Sequence, residues 1–339
     1  MNIAFFEVKD WETKYLNQRL PQHDCSFISE PLDFATLAAI KDVEVISPFI
    51  RSQVSGEVIS ALSDLRLVAT RSTGFDHIDI GACAARGIIV SNVPSYGENT
   101  VAEHTFALIL ALSRKIPQTH ARVVRGDYSL DGLTGFDIKG KTLGVVGTGR
   151  IGMHVIKIAR GFGMNVLGYD VYRNSFLAEL LGFRYVELDR LLGESDIVTL
   201  HMPYSSAVHH FMDRAKFALM KPGSLFINTA RGGLVDTDAL LAALDSRSLS
   251  GAGLDVIEGE ELIKEESQLL HQQNVQNLQE VVRTHLLFRR ENVIFTVHNA
   301  FNSKEALERI LDTTVGNILS FEHGEPANLV RTKPLPQSA

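Results

Sequence analysis

A glycine-rich turn between an apolar run and a helical stretch limits how this chain can fold more than any other feature of its sequence. Gly147, Gly149 and Gly152 follow the run KTLGVV and lead into IGMHVIKIARGFG, which has a helical pattern. Glycines spaced in this way between a strand and a helix are typical of the first turn of a doubly wound α/β domain. We therefore expect parallel strands that alternate with helices around this point.

Strand-like and helical stretches alternate along the chain in two series. The first hundred residues contain the strand-like runs IAFFEV, VEVISPF, LRLVATRS and GIIVSNV. The second series contains KTLGVVG, NVLGYD, FRYVEL, SDIVTLHMP, SLFINTA, SGAGLDV and NVIFTVH. One long helical pattern at 98–115 lies between the two series, and another at 303–322 follows them. Such alternation predicts parallel sheets covered by helices on both faces.

The two series predict two domains, and a chain of 339 residues that is 45% hydrophobic can bury two cores. The fold class is α/β, with a Rossmann-type doubly wound dinucleotide-binding domain at 99–299. A smaller, flavodoxin-like α/β substrate domain takes 1–98 and 300–339. The chain would cross between them twice, which predicts a hinge and domain closure. The long polar segment 260–290 interrupts the pattern, and we interpret it as a lid or an interface element.

Charge and cysteine content exclude several classes of protein. The 33 basic and 40 acidic residues give a net charge of −7 without a basic run, so no nucleic-acid partner is expected. Cys25 and Cys83 are too few for a disulfide framework and are predicted to be free thiols. No metal site is predicted.

The longest apolar run, at 105–113, is far shorter than the ~20 residues that span a bilayer, and the N-terminus lacks a signal-peptide pattern. We expect a soluble, cytoplasmic protein.

The glycine turn also predicts a dinucleotide site. A pyrophosphate can sit at the N-terminus of the helix that follows the glycines, while Asp170, at the end of the next strand, can bind the adenosine ribose. The Asp170 carboxylate would repel a 2′-phosphate, so NAD is favoured over NADP. Arg173 lies close enough in sequence to weaken that preference without reversing it. The alternative interpretation is a tight turn that binds no ligand.

Ionisable side chains follow three other predicted strands: Arg231, Asp255 with Glu260, and His298. An arginine fork binds a carboxylate with two parallel hydrogen bonds, and a histidine can pass a proton near neutral pH. Together these residues predict a site for a 2-keto acid at the carboxyl ends of the strands. Gly232 and Gly233 would let the chain turn away from Arg231 without a side chain that blocks the substrate.

Structural alternatives exist for each of these side chains. Arg231 could pair with Asp236 or a surface acid, and Glu260 could be a solvated acid at the start of a helix. His298 could be a structural histidine. His201, at another strand end, is a rival base, although Pro203 after it favours a position beside the cofactor.

In combination, the motifs resemble the D-isomer-specific 2-hydroxyacid dehydrogenases, and within them the D-lactate dehydrogenase-like branch. The resemblance covers nearly the whole chain through STGFDHID, NVPSYGENTVAEHT, GKTLGVVGTGRIG, SDIVTLHMP, NTARGGLVD, GLDV and HNAF. It implies an NAD-dependent enzyme that reduces pyruvate or a similar small 2-keto acid to the D-2-hydroxy acid. The helix at 98–115 and the loop to 139 resemble the dimerisation arm of the family, which implies a homodimer.

The resemblance also implies roles for individual residues. Arg231 would bind the substrate carboxylate and carbonyl, His298 would be the acid/base, and Glu260 would orient His298. The implied cofactor contacts are Gly147, Gly149, Arg150, Ile151, Gly152, Asp170, Met202, Pro203, Thr229, Ala230 and Asp255. The implied substrate contacts are Thr73, Gly74, Tyr96, Phe49 and Phe301.

Alternatives within and beyond this family stay open. A formate dehydrogenase is disfavoured, because that branch has glutamine at the position of Glu260. A second alternative is a dehydrogenase for a larger or phosphorylated 2-hydroxy acid. A phosphate would need basic residues near Tyr96 and Phe49, for which Arg51 and Arg71 are the candidates. The third alternative is an NAD-sensing scaffold that resembles the C-terminal-binding-protein corepressors.

Overall fold

The computed structural model describes residues 1–34, 36–40, 42–259 and 284–330. The chain divides into two compact units. The first comprises Met1–Tyr96 and the chain from Ser303 onward, and the second is Gly97–Asn302. The predicted segment 260–290 lies mostly outside the described residues, as do Glu260 itself and the last residues, 331–339. None of the described helices is both long and apolar enough to cross a membrane.

The first unit is built on a five-stranded sheet. Its strands are β1 (Asn2–Phe6), β2 (Asp24–Ile28), β3 (Val45–Ser47), β4 (Leu67–Ala69) and β5 (Ile89–Ser91). They lie in the order β2-β1-β3-β4-β5, and every pair is parallel. This is the strand order of flavodoxin-like folds, so the predicted class is confirmed. The sequence analysis missed β2, because this edge strand, DCSFI, is too polar to stand out as an apolar run.

Helices cover both faces of this sheet. The first three are α1 (Asp10–Arg19), α2 (Gly56–Ala61) and α3 (Ile80–Ala85), of which the last two are capped by side chains of Ser55 and Asp79. Alternate residues of β1 enter two different cores, with Ile3 and Phe5 in one and Ala4 in the other. A strand buried on both faces has to be apolar throughout, which explains its uninterrupted run.

The second unit is built on a seven-stranded parallel sheet. Its strands are β6 (Thr142–Val146), β7 (Asn165–Tyr169), β8 (Arg184–Tyr185), β9 (Ile197–Leu200), β10 (Ser224–Asn228), β11 (Leu249–Leu254) and β12 (Val293–Phe295). They lie in the order β12-β11-β10-β9-β6-β7-β8. From β8 to β11 this is the Rossmann order 3-2-1-4-5-6, in which β6 takes the first place. The predicted class is confirmed for this unit as well.

Up to Asp245, the described part of the second unit contains the helices α4 (Glu98–Ser113), α5 (Ile116–Val124), α6 (Arg150–Gly161), α7 (Ser175–Leu181), α8 (Leu188–Glu194), α9 (Arg214–Leu219) and α10 (Thr237–Asp245). The helix predicted over 98–115 ends at Ser113, and α5 begins as a separate helix. Lys115 between them has a left-handed backbone, φ 50°, which breaks the helical path. In the first unit, α11 (Lys304–Glu322) confirms the helix predicted at 303–322, with the Ser303 side chain as its cap.

Candidate active site

The carboxyl ends of the second sheet form one edge, because all seven strands are parallel. Moving along the sheet from β12 to β7, the segments after successive strands carry the predicted site residues. In this spatial order they are His298, Asp255, Arg231, His201, Gly147 and Asp170. Adjacent strands lie about 4.8 Å apart, so the row extends over several strand spacings. Its β12–β10 end carries the predicted acid/base and arginine, and its β7 end carries the predicted ribose ligand.

A different steric constraint explains each of the three glycines that follow β6. Gly147 has φ 91°, and a Cβ there would lie 2.6 Å from the His201 carbonyl, so only glycine fits the turn. A Cβ on Gly152 would lie 2.1 Å from the Gly147 oxygen, so a glycine at this position allows α6 to pack closely against the turn after β6. Around Gly149, by contrast, a Cβ would meet nothing within 4 Å. Open space beside the N-terminus of α6 is what an approaching pyrophosphate requires.

Asp170 directly follows β7 and contacts the glycine turn. Its Oδ2 accepts a hydrogen bond from the Thr148 backbone N–H at 2.7 Å, and its Oδ1 accepts one from the Tyr172 N–H at 2.9 Å. The carboxylate is therefore fixed next to the loop where the predicted ribose would lie. Arg173 is engaged elsewhere, since its Nη2 donates to Glu187 at 2.7 Å.

Arg231 lies three residues beyond the end of β10, in a loop held by Asn228. The Asn228 side chain donates to the Arg231 carbonyl at 2.9 Å and accepts from the Ala230 N–H at 3.0 Å. The structure gives a reason for the following glycines that differs from the expected one. A Cβ on Gly232 would lie 2.2 Å from the Ile257 carbonyl, so this glycine lets the loop pack directly on the segment after β11.

Gly233 has a similar role beside an aromatic ring. A Cβ at this position would lie 2.8 Å from the ring of Tyr204. Both glycines therefore meet a packing requirement, because they bring the Arg231 loop against other parts of the same unit. That they also leave room for a substrate remains a prediction.

Asp255 organises the loop that carries His298. Its backbone carbonyl accepts from the His298 N–H at 2.8 Å, and its carboxylate accepts from the N–H groups of Asn299 at 2.8 Å and Ala300 at 2.9 Å. The Thr296 hydroxyl also donates to this carboxylate. His298 has φ 54°, a left-handed conformation that the surrounding bonds hold in place. The sequence had placed Asp255 at the 2-keto acid site and beside the nicotinamide, without this role in the loop.

The Asp255 side chain is 1% exposed, so its ionised form has to be stabilised by these hydrogen bonds and not by water. Burial alone would raise the pKa of Asp255, but hydrogen bonds from His104, Thr296, Ala300 and Asn299 outweigh burial and lower the pKa. The carboxylate is therefore ionised at neutral pH. His104 Nε2 lies 3.4 Å from the Asp255 carboxylate and 2.9 Å from the Thr296 hydroxyl.

His201, the rival base, is unsuited to proton donation. Burial lowers the pKa of His201 to about 3, so the imidazole is neutral at physiological pH. A general acid that works near neutral pH needs a pKa near that pH. The ring lies 2.9 Å from the Thr199 hydroxyl through Nε2. The backbone of His201 is instead part of the wall against which Gly147 packs.

The other predicted cofactor residues border the same edge. Arg150 begins α6 and is exposed, with Nη1 3.5 Å from the Glu98 carboxylate. Thr229 follows β10, and its hydroxyl lies 3.0 Å from that of Thr105 on α4. The remaining predicted cofactor contacts are Met202 and Pro203, which follow β9, Ile151, which lies in the first turn of α6, and Ala230, which precedes Arg231. Phe301 packs edge-on to His298, with ring centroids 6.5 Å apart.

Four predicted substrate contacts belong to the first unit. Thr73 and Gly74 follow β4 in a loop in which the Thr73 hydroxyl donates to the Val93 carbonyl at 2.7 Å. The carbonyl of Tyr96 accepts a hydrogen bond from Arg309. Phe49 follows β3, and its ring centroid lies 5.2 Å from the guanidinium carbon of Arg71. Their contacts with a substrate remain predictions.

Sequence reasoning missed several residues that shape this edge. Thr148, Thr296 and His104 hold the carboxylates of Asp170 and Asp255. Thr148 and Thr296 could have been found, because each stands within the loop that follows a predicted strand. His104 lies on a helix, 151 residues before its partner, and only the folded chain brings the two together.

A sequence model of the D-isomer specific 2-hydroxyacid dehydrogenase NAD-binding domain matches residues 106–300. The chain belongs to this family. Over 334 residues it is 37% identical to a 2-hydroxyacid dehydrogenase homolog of Haemophilus influenzae, in an alignment that covers 96% of this chain and 97% of the relative. It is 35% identical to the D-lactate dehydrogenase of Escherichia coli over 337 residues, which cover 96% of this chain and 98% of that enzyme.

A solved structure of the same family agrees over nearly the full length. D-lactate dehydrogenase from Aquifex aeolicus, complexed with NAD and lactic acid, superimposes with a TM-score of 0.87 at 36% identity and covers 98% of this chain and 100% of that one. These similarities confirm the family and the D-lactate dehydrogenase-like branch that the motifs indicated. The matched domain confirms NAD as the cofactor. The chain is an NAD-dependent oxidoreductase, which argues against the scaffold alternative.

Proposed function

We propose that this D-2-hydroxyacid dehydrogenase reduces pyruvate or a similar small 2-keto acid to the D-2-hydroxy acid. The observation that carries the proposal is the order of strands in the second sheet. Because β10, β11 and β12 are neighbours, Arg231, Asp255 and His298 follow adjacent strands at the edge that also carries the glycine turn. NAD, when bound, supplies the hydride donor and acceptor at this edge.

Arg231 has the chemistry to bind the carboxylate of a 2-keto acid. Its planar guanidinium can form two parallel hydrogen bonds with a carboxylate, or contact the carboxylate and the carbonyl oxygen together. The loop around it is fixed by Asn228 and by the packing of Gly232 on Ile257. The guanidinium itself donates from Nη1 to the Ala230 carbonyl at 2.7 Å, and groups that are already ordered lose less entropy when the substrate binds.

His298 is proposed as the proton donor in reduction and the acceptor in oxidation. When its imidazolium donates a proton to the substrate carbonyl oxygen, it neutralises the charge that develops as C2 is reduced. Asp255 fixes the loop that carries His298 through four hydrogen bonds. Glu260 is proposed to orient the imidazole and to favour its protonated form, as a neighbouring carboxylate does.

A Glu260→Gln variant tests that role. The charge that favours the imidazolium is lost, so the pH profile of keto-acid reduction is expected to shift to lower pH. An unchanged profile would show that Glu260 is only a helix-end acid.

The charges of the first unit support a small substrate over a phosphorylated one. Arg71 is 1% exposed, and its guanidinium contacts the Phe6 carbonyl and, at 3.6 Å, the Glu12 carboxylate. Arg51 Nε donates to Glu7 at 3.1 Å. Both candidate phosphate ligands therefore already face carboxylates within their own unit, and the charge of a phosphate would have to compete with these pairs.

The deciding experiment follows NADH oxidation with a panel of 2-keto acids. Pyruvate, glyoxylate, a branched 2-keto acid and 3-phosphohydroxypyruvate differ in the size and charge of the substituent on the carbonyl carbon. We expect the highest kcat/KM with pyruvate or another unbranched small acid and D stereochemistry in the product. Preference for the phosphorylated acid, or no turnover with any of the four, would overturn the proposal.

A homodimer is part of the proposal. Five large apolar side chains on α5 and the segment after it are 43–81% exposed: Ile116, Val123, Val124, Tyr128 and Leu130. Several exposed large apolar side chains within one short segment support an interface there. Light scattering should give the mass of two chains for the wild type. The Val124→Glu substitution, which places a charge on the patch, should shift the protein toward one chain.

We also propose a cytoplasmic location. Cys25 and Cys83 are unpaired, and burial raises the pKa of Cys83 to about 11, which keeps its thiol protonated and unreactive. Two thiols of this kind fit a reducing compartment. Fractionation of cells that express the chain, with antibody detection, tests the location directly.

A further inference from the structure

Two adjacent histidines and a glutamate meet next to the Arg231 loop, outside the catalytic residues proposed above. They are His209, His210 and Glu258. One nitrogen from each ring and one carboxylate oxygen all lie within 4.8 Å of one another. His210 Nε2 is 2.7 Å and His209 Nε2 is 3.8 Å from the same Glu258 oxygen. From this geometry we infer a binding site for a divalent transition-metal ion, with Zn²⁺ as the best fit.

The backbone brings the two neighbouring rings to the same side. In an extended chain, consecutive side chains point in opposite directions. His210 has φ 52°, and this left-handed residue turns the chain so that the two imidazoles stack with centroids 3.8 Å apart. The His210 N–H donates to the Gly233 carbonyl at 2.9 Å, which holds the turn against the loop after Arg231.

The distances suit a zinc ion with small adjustments. Zinc lies about 2.0–2.2 Å from nitrogen and oxygen ligands, which in a tetrahedron separates the ligand atoms by roughly 3.4 Å. The two measured separations of 2.7 and 3.8 Å lie on either side of that value. Two neutral imidazoles and one carboxylate carry a single negative charge that complements a dication. The same donor set, two histidines and one glutamate, is found in zinc sites that keep one position for water.

A second observation concerns the orientation of His209. Its Nδ1 lies 3.3 Å from the Tyr204 hydroxyl, so Nε2 is the nitrogen turned toward Glu258. A hydrogen bond on the nitrogen that does not bind metal is the usual arrangement around metal-ligating histidines. An ion pair between His210 and Glu258 would account for one ring, but not for a second ring stacked on it and held by its own partner.

The site is open to an ion from solvent. The side chains of His209, His210 and Glu258 are 46%, 37% and 29% exposed. The sequence analysis predicted no metal site because His210 and Glu258 are 48 residues apart and follow different strands. In the folded chain, His210 is bonded to the Gly233 carbonyl, and Gly232 packs on the backbone of Ile257 and Glu258, so the two segments lie side by side.

Zn²⁺ titration of the tag-free, metal-stripped protein tests this inference by calorimetry, with Zn²⁺ alone as the probe. We expect one saturable site per chain. His209→Ala and Glu258→Gln should each raise the Kd at least about tenfold, and Tyr204→Phe should raise it less. His323→Ala, which removes an exposed histidine of the first unit, is the matched control and should bind like wild type.

Co²⁺ supplies a second measurement, because its visible absorption is intense only in a four- or five-coordinate site. The spectrum should appear in wild type and be lost in His209→Ala. Absence of saturable Zn²⁺ binding to wild type, or equal binding by wild type and His209→Ala, would overturn the inference. These readouts report metal and not turnover, so they are independent of the proposed catalytic roles.

Discussion

The carboxyl edges of the two sheets differ in what their charged residues do. In the first unit, Glu7 follows β1 and is 7% exposed, and its carboxylate accepts hydrogen bonds from the backbone and side chains of Arg51 and Ser52. Arg71 follows β4 and is enclosed with Glu12. These buried charges are therefore compensated by groups of the same unit.

In the second unit, the charged residues that follow the strands differ in their exposure. Asp255 is buried and holds the loop of His298, while Arg231 and His298 themselves stay partly exposed. A charge at the end of a parallel strand is therefore no evidence of a ligand by itself. The difference lies in how deeply the fold buries each arginine, since Arg71 is 1% exposed and Arg231 is partly exposed.

Replacing one arginine on each edge with methionine tests this comparison. Arg71→Met should lower the free energy of unfolding by about 3–5 kcal/mol, because Glu12 and Glu7 lose a buried countercharge. Arg231→Met should lower it by less than about 1 kcal/mol, since that side chain is partly exposed. Urea unfolding followed by circular dichroism measures both variants. Fluorescence of Trp11, the only tryptophan, reports on the first unit alone. Equal losses would contradict the contrast between the edges.

The accessible charges of the second edge should matter for turnover. Arg231→Ala or His298→Ala is expected to lower kcat/KM for pyruvate reduction by at least about a hundredfold, through loss of a charge-stabilising or proton-transferring group. Arg190→Ala, on the exposed face of α8, is the matched control and should retain wild-type kinetics. Wild-type kinetics in either active-site variant would refute the assignment.

His201 adds to the comparison, since it follows a strand of the second unit and its ring nitrogen Nδ1 is buried. Its pKa is about 3 when folded against an ordinary 6.5, so the unfolded chain binds one more proton between these values. Stability therefore falls as pH drops from 6.5 toward 3, by up to about 1.4 kcal/mol per pH unit. The His201→Gln variant should lose this part of the pH dependence. Urea midpoints measured across that range test it, and parallel curves for the two proteins would contradict it.

The smallest expected effect concerns cofactor choice at Asp170. Asp170→Asn keeps an oxygen that can accept from the Thr148 N–H but removes the charge. The ratio of kcat/KM for NADH to that for NADPH should fall roughly tenfold, because repulsion of the 2′-phosphate is removed. Arg173→Ala provides a contrast, as its guanidinium is already paired with Glu187 and should alter the ratio little. An unchanged ratio in Asp170→Asn would show that the carboxylate does not select the cofactor.

Much of the second unit could be predicted because its signals are local. The seven strand-like runs all became strands, and the glycine turn lies between β6 and α6 as its spacing indicated. Strand β2 was missed, because an edge strand with polar residues lacks the apolar run that marks a buried one. The part played by Asp255 was also missed, since its partners Thr296, Asn299 and Ala300 are 41–45 residues away in the chain.

The sequence by itself determined where strands end, where a backbone turn demands glycine, and which side chains stand at those ends. These properties depend on residues within a few positions of one another, so periodicity and turn chemistry reveal them. Only the tertiary structure decided which strand ends are neighbours and which charges are enclosed. Arg71 and Arg231 each follow a strand of a parallel sheet, yet one is 1% exposed beside Glu12 and the other stands in a partly exposed loop. Burial and pairing depend on residues far apart in the chain, and they appear only when the strands take their order in the sheet.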